Sequence, residues 1–179
     1  MSYILCSNDE LVTMGLRRRK PAKTRGIVRS PAAQVRQFLP LSSLAERDPM
    51  DRVRMVKEGV PAELLVAIAA EMAITKEKLY ATIGLPRATA DRKVRQQQRL
   101  TADESERALG IASLVAQVER VVRESGDVRQ FDAAKWAAGW LDRPHPALQG
   151  ERPASFMDTA EGRRIVSDLV AQMQSGAYA

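Results

Sequence analysis

Side chains capable of covalent or acid–base chemistry are scarce in this chain. It holds one cysteine, Cys6, and one histidine, His145, far apart in sequence. A hydroxyl or thiol nucleophile needs a base within hydrogen-bond reach, and no G-x-S-x-G elbow offers one. No P-loop and no G-x-G-x-x-G turn is present to cradle phosphates. A single cysteine rules out a disulfide framework, and one cysteine with one histidine argues against a protein-only zinc site. The carboxylates fall at expected helix caps and surfaces. His145, between Pro144 and Pro146, reads as a solvated loop residue. These features point to binding rather than catalysis, with no catalytic residue, metal ligand or cofactor to name.

The chemistry the chain does offer is cationic. Between Arg87 and Arg99 there are five positive charges against one negative, Asp91. Placed on a helix, Arg87, Thr89, Arg92, Lys93, Arg95 and Gln96 form an outer face. Cations on such a face can replace counterions along a phosphate backbone, and Arg or Gln can read guanine or adenine edges. These six are the candidate DNA-binding residues. The net charge of +6 is uneven. Residues 1–48 carry nine Lys/Arg against four Asp/Glu, residues 49–100 ten against six, and residues 101–179 nine against twelve. A basic first part and a mildly acidic last part suggest two surfaces with different partners.

The elements that must carry that face are helical. Hydrophobic residues make up 45% and aromatics only 4%, with Ala, Leu, Val and Arg abundant, a composition favouring helix over sheet. Residues 1–48 form a basic leader with the run Arg17 to Arg25 and, after Pro31, a short helix over 32–38 that Pro40 closes. Residues 49–100 read as four short helices. The first spans 50–58 and stops at Gly59; Pro61 opens the second, with Leu65, Ile68, Ala69 and Met72 inward. Thr75 caps the third, which ends at Gly84, and Leu85-Pro86 leads into the fourth, 87–98. A tight glycine turn between two short helices, with a free basic face on the second, is a helix-turn-helix.

Residues 101–179 form a second helical domain. Thr101 caps a helix to about Glu124, with Asp103 and Glu104 in its first turn. Its polar residues Gly110, Ser113, Gln117, Arg120 and Glu124 make one narrow strip, so it reads as a mostly buried spine and a possible dimer contact. Asp132 caps a helix over 133–141 carrying Trp136 and Trp140, expected as core anchors. A proline-punctuated loop, 142–153, leads past Phe156 and Met157 to Thr159, the N-cap of a last helix with Ile165, Val166, Leu169, Val170 and Met173 on its apolar face and Arg164, Asp168 and Gln172 outside. Gly176 ends it, leaving Ala177-Tyr178-Ala179.

Trp140-Leu141, the Pro144/Pro146 loop with Leu148 and Gly150, Pro153, Thr159, Gly162, Val166, Leu169 and Gly176-Ala177-Tyr178-Ala179 together resemble the toxin-binding domain of Xre/ParS/MbcA-type antitoxins, partners of RES-domain toxins. The G-L-P-R-A-T-A-D-R-K stretch is similar to the helix-turn-helix of the same antitoxins; Ala90, and Leu85 in place of a Ser or Thr before Pro86, depart from their pattern. The resemblance implies an all-α protein that autoregulates its operon by DNA binding and sterically blocks an NAD-degrading toxin. Its implied toxin-binding residues are Arg163, Arg164, Met173, Gly176, Tyr178 and Ala179, with operator DNA and a RES-domain toxin as partners and a homodimer inside a larger complex. No stretch reaches the ~18 apolar residues of a membrane span, and no secretory signal is read, so a cytoplasmic location is expected. The alternative reading is a dimeric helix-turn-helix regulator with no toxin.

Overall fold

A computed structural model describes residues 35, 38, 40–44, 47–126 and 131–174. The basic run at 17–25 and the closing residues from 175 onward lie outside them, as does the expected helix over 32–38 apart from Val35 and Phe38, which are both buried. The described residues form seven α-helices with no named strand. In chain order these are α1 (Pro49–Glu58), α2 (Glu63–Glu71), α3 (Lys76–Thr82), α4 (Arg87–Arg95), α5 (Ala102–Glu124), α6 (Ala133–Leu141) and α7 (Ala160–Gln174). Short 3₁₀ turns occupy Leu41–Leu44, Pro146–Leu148 and Pro153–Phe156.

The fold is organised around α5. Thr101 and Glu104 form a reciprocal capping box at its start, the threonine hydroxyl accepting from the Glu104 N–H and the Glu104 carboxylate from the Thr101 N–H. Two orphan donors are satisfied in that way. Ala108, Ile111, Ala112, Leu114, Val115 and Val118 are buried along its length. The first 3₁₀ turn, α1, α2, α6 and α7 all pack on it, which is why only Gly110, Ser113 and Gln117 escape full burial between Ala108 and Val118. Each fully buried Leu or Ile in this core contributes roughly 2 kcal/mol of apolar transfer. Leu41 and Leu44 dock the 3₁₀ turn on the spine, and the Leu41 N–H donates to Glu71 Oε1 at 3.2 Å.

Two boundaries differ from the sequence reading. Pro61 does not open α2. It pairs with Arg99 in an isolated antiparallel bridge, with the Ala62 N–H donating to the Gln98 carbonyl at 3.0 Å and the Leu100 N–H to the Val60 carbonyl at 2.8 Å. Those tertiary bonds tie residues 60–62 to the segment that follows α4, with Pro61 in the bridge and Ala62 already turning, so the helix begins at Glu63. Similarly α4 ends at Arg95 rather than Gln98, because Gln97 takes a left-handed φ of 52° and the chain must turn extended to meet Pro61.

Candidate functional site

The α3–α4 unit is built from its caps. Thr75 Oγ1 accepts from the Lys78 N–H at 3.2 Å to start α3. Gly84, at φ 64°, ends it, a conformation other residues reach only at a cost. The Arg107 guanidinium, projecting from α5, donates to the Gly84 carbonyl at 3.1 Å and the Ile83 carbonyl at 3.4 Å, placing a cation at the negative end of α3. Pro86 then fixes the entry to α4.

The inner side of α4 rests on the core through Ala90, which is 2% exposed. The small side chain allows close approach of α4 to α3. Asp91 knits the pair together: it accepts from Lys76 Nζ at 2.8 Å and from the Tyr80 hydroxyl at 3.4 Å, and it lies 3.5 Å from Arg87 Nε. The Lys76 hydrogen bond, with Arg87 beside it, holds the Asp91 carboxyl below its ordinary value. Burial, reinforced by the Asp91 charge, pushes the Tyr80 hydroxyl up to about 12.

Of the six residues assigned to the outer face, Arg87, Arg92, Arg95 and Gln96 are exposed and Thr89 is half-buried. Arg87 also pairs with Glu77 at 3.2 Å. Arg92 and Arg95 have no carboxylate partner among the described residues. Lys93 does not share this face. It is 8% exposed and forms an ion pair with Glu104 in the first turn of α5. Burial alone would raise the Glu104 carboxyl, but hydrogen bonds from Lys93 and the Thr101 N–H, with the Lys93 charge, hold it below its ordinary value. The reason is helical spacing: Lys93 lies three residues after Ala90, on the buried side, and its aliphatic stem packs while its ammonium reaches a partner. The sequence signal was the combination of that spacing with an acidic N3 residue in the next helix.

In the C-terminal half, Thr159 Oγ1 accepts from the Gly162 N–H at 3.1 Å to start α7. Gly162 packs directly under the preceding turn; a Cβ there would lie 2.0 Å from the Phe156 carbonyl oxygen. Val166, Leu169 and Val170 are buried, while Ile165 and Met173 are half-buried. Gln117 and Ser167 tie α5 to α7 with two bonds, Gln117 Nε2 to the Ser167 carbonyl at 2.8 Å and Ser167 Oγ to Gln117 Oε1 at 2.7 Å.

Arg163 and Arg164 diverge. Arg163 turns onto α5, pairing with Glu106 at 2.6 Å and donating to the Met157 carbonyl at 3.3 Å, with only 12% of its side chain exposed. Gly110 makes room for its stem. Arg164 is exposed and bound by Glu161 at 2.5 Å and Asp168 at 3.4 Å. Gly176, Tyr178 and Ala179 lie outside the described residues.

The tryptophans are not both core anchors. Trp136 is 36% exposed and stacks on half-buried Trp140 at 5.8 Å with the rings 10° apart. Trp136 also lines an apolar groove of about 240 Å³ with Val121, Val170 and Met173, and Phe131 completes its wall. Nor is His145 merely solvated. It sits edge-on to Trp140 at 6.0 Å; its Nδ1 accepts from the Ala147 N–H at 3.3 Å and its backbone N–H donates to the Glu151 carbonyl at 3.0 Å, closing the proline loop. Pairing across the two halves was likewise not read from sequence: Lys78 of α3 forms an ion pair with Asp142, and a Cβ on Gly84 would meet Asp158. Among the described residues no cluster of His, Cys, Asp and Glu could hold a metal ion, and no helix is long and apolar enough to cross a membrane.

Two family models match the chain. A family model described as the antitoxin Xre-like helix-turn-helix domain matches residues 51–113. A second, the antitoxin Xre/MbcA/ParS C-terminal toxin-binding domain, matches residues 128–176. The chain is 40% identical over 137 residues to the Prs ADP-ribosylating antitoxin of Sphingobium sp. (strain YBL2), a match covering 76% of this chain and 86% of that protein. It is 26% identical over 126 residues to the antitoxin Xre of Yersinia enterocolitica, covering 70% and 80% respectively. The antitoxin Xre of Pseudomonas putida matches at 26% over 121 residues, covering 68% and 69%.

Proposed function

This chain belongs to the Xre/MbcA/ParS antitoxin family, and from that premise we propose that it neutralises a RES-domain toxin that consumes NAD while repressing its own operon through α4. The observation that carries this reading is the coexistence of two surfaces on one spine. One is an outward cationic helix in the helix-turn-helix domain. The other is a toxin-binding domain whose last helix is held rigidly on α5. The match of residues 128–176 to a toxin-binding domain favours this over a regulator with no toxin.

The Sphingobium relative is named for ADP-ribosylation, a transfer that breaks the nicotinamide–ribose bond of NAD. A toxin of that class and one that hydrolyses NAD both use the same substrate. Neutralisation by steric block needs no catalysis from the antitoxin: α7 and the residues after it cover the substrate entrance. In this reading Tyr178 supplies a rigid ring with a hydrogen-bonding tip. Arg164 and Met173 flank that plug. On the operator, Arg92, Arg95 and Gln96 face the major groove, Arg87 sits at its edge, and a homodimer reaches two half-sites.

Co-expression with the product of the neighbouring gene, followed by pull-down and an NAD assay, tests the reading. A stable complex that spares NAD, with NAD lost when this chain is omitted, is the expected result. No complex and no NAD loss would overturn it. Deleting residues 175–179 is expected to abolish protection; full protection by the truncated chain would move the plug to α7 or the proline loop.

A further inference from the structure

α1 is anomalous among the described α-helices in having no buried residue. Met50 is 60% exposed and Val53 42%, three positions apart on one face. Exposed apolar residues grouped in this way mark a contact surface more often than chance. Beside them, α1, α5 and the Arg163 side chain enclose an open cleft of about 500 Å³. Its floor is aliphatic, with Val53, Val56, Leu109 and Gly110 contributing.

The rim of the cleft is positive. Arg163 is neutralised by Glu106, but Arg52 and Lys57 have no carboxylate partner among the described residues. Two unpaired cations over an aliphatic floor are complementary to a segment that carries carboxylates beside apolar side chains. The cleft is also continuous with the toxin-binding domain. Arg163 belongs to α7, inside the matched residues 128–176, and on its far side a second hollow of about 270 Å³ runs on past Ser113 and Gln117 to Arg164 and Ser167. None of the residues lining either hollow comes from α3 or α4.

We propose that the toxin docks an acidic, apolar-faced segment into this cleft, so that its contact surface extends from α7 across α5 onto α1, beyond the matched toxin-binding domain. The inference rests on the reading that the partner is a toxin, and it adds the chemistry of the partner's docking segment. The α1 cations steer the encounter and the Val53 floor retains it, as charge and apolar contact commonly divide between on-rate and off-rate.

The test uses the full chain, wild type and two variants, Arg52→Glu/Lys57→Glu and Val53→Asp, titrated against the purified product of the neighbouring gene. Both variants alter exposed or half-buried positions, and unfolding temperature confirms that the fold survives. The charge reversal is expected to weaken the complex roughly ten-fold or more and to flatten its salt dependence. Val53→Asp is expected to weaken it with the salt dependence kept. Wild-type binding with both variants unaffected would overturn this inference and leave the antitoxin reading standing. No wild-type binding at all would sink both. Loss of self-association of the isolated chain, with toxin affinity unchanged, would assign the cleft to a second copy and overturn the proposal. An equal loss of operator affinity would assign it to DNA, with the same consequence.

Discussion

On α4 the arginines at 92 and 95 are exposed with no carboxylate partner among the described residues, whereas on α7 the arginines at 163 and 164 are both held by carboxylates of the same chain. α4 carries four cations, Arg87, Arg92, Lys93 and Arg95, and α7 carries two, and the two helices pair them differently. A cation left without an internal partner has none to give up on meeting a phosphate. A cation that positions a helix is paired, and Arg163 shows this most clearly. α4 does contain such a residue, Lys93, but it faces the other way. The helix therefore offers Arg92 and Arg95 outward, while Arg87 is paired with Glu77 and Asp91 at its start and Lys93 with Glu104 on its inner side.

The largest effect should come from breaking the Lys93–Glu104 pair. Lys93→Ala leaves Glu104 charged and uncompensated in a site where the two side chains are 10% and 13% exposed. A loss of about 4 kcal/mol is expected, which corresponds to roughly a 10 °C fall in unfolding temperature for a chain of this size. Replacing both partners, Lys93→Met with Glu104→Leu, should recover most of it. Calorimetry on the three chains checks this; a small loss from the single variant would mean that water reaches the pair.

Next in size is Gly162→Ala, whose Cβ would meet a backbone oxygen that cannot swing aside. A cost of about 2 kcal/mol is expected, confined to the C-terminal half. Both tryptophans, Trp136 and Trp140, lie there, so their fluorescence should report a lower transition. Operator affinity below that transition should be unchanged. Equal damage to both halves would show that the spine transmits the strain.

The unpaired face gives a different signature. Arg92→Ala/Arg95→Ala should leave the unfolding temperature alone and reduce the slope of log affinity for operator DNA against log salt by about two. Arg164→Ala should alter neither operator binding nor unfolding temperature, because its ion pairs are largely exposed to solvent. A salt slope that Arg164→Ala changed as much as the double variant would erase the contrast between the helices.

The smallest expected effect is on acid stability. The Glu104 carboxyl is held below its ordinary value in the folded chain, so it contributes stability above the unfolded carboxylate range and loses it as pH falls through the lower, folded value. The Lys93→Met/Glu104→Leu chain should lack that part of the acid-side decline in unfolding temperature.

Much of this was legible along the chain. Thr75, Thr101, Asp132 and Thr159 were named as caps, and each accepts a backbone N–H in the first turn of its helix. Capping is decided within four residues, so local sequence carries it. The apolar stripe of α7 was equally readable, since helical period alone places Val166, Leu169 and Val170 together. Lys93 and Pro61 are placed by partners on other elements, Trp136 by a face whose coverage the period does not reveal, and His145 by loop bonds to Ala147 and Glu151 that no helical period encodes.

The sequence by itself determined the helices, their caps, the glycine turn at Gly84 and the resemblance that divides the chain into two domains. Those features follow from backbone preferences and spacing within a few residues. Only the tertiary structure decided which cations are free and which are bound, that Arg107 and Asp142 join the halves across the α3–α4 unit, and that α1 and α7 share one continuous hollow with α5. Charge pairing and surface continuity depend on distances between elements far apart in the chain, and no local pattern encodes those distances.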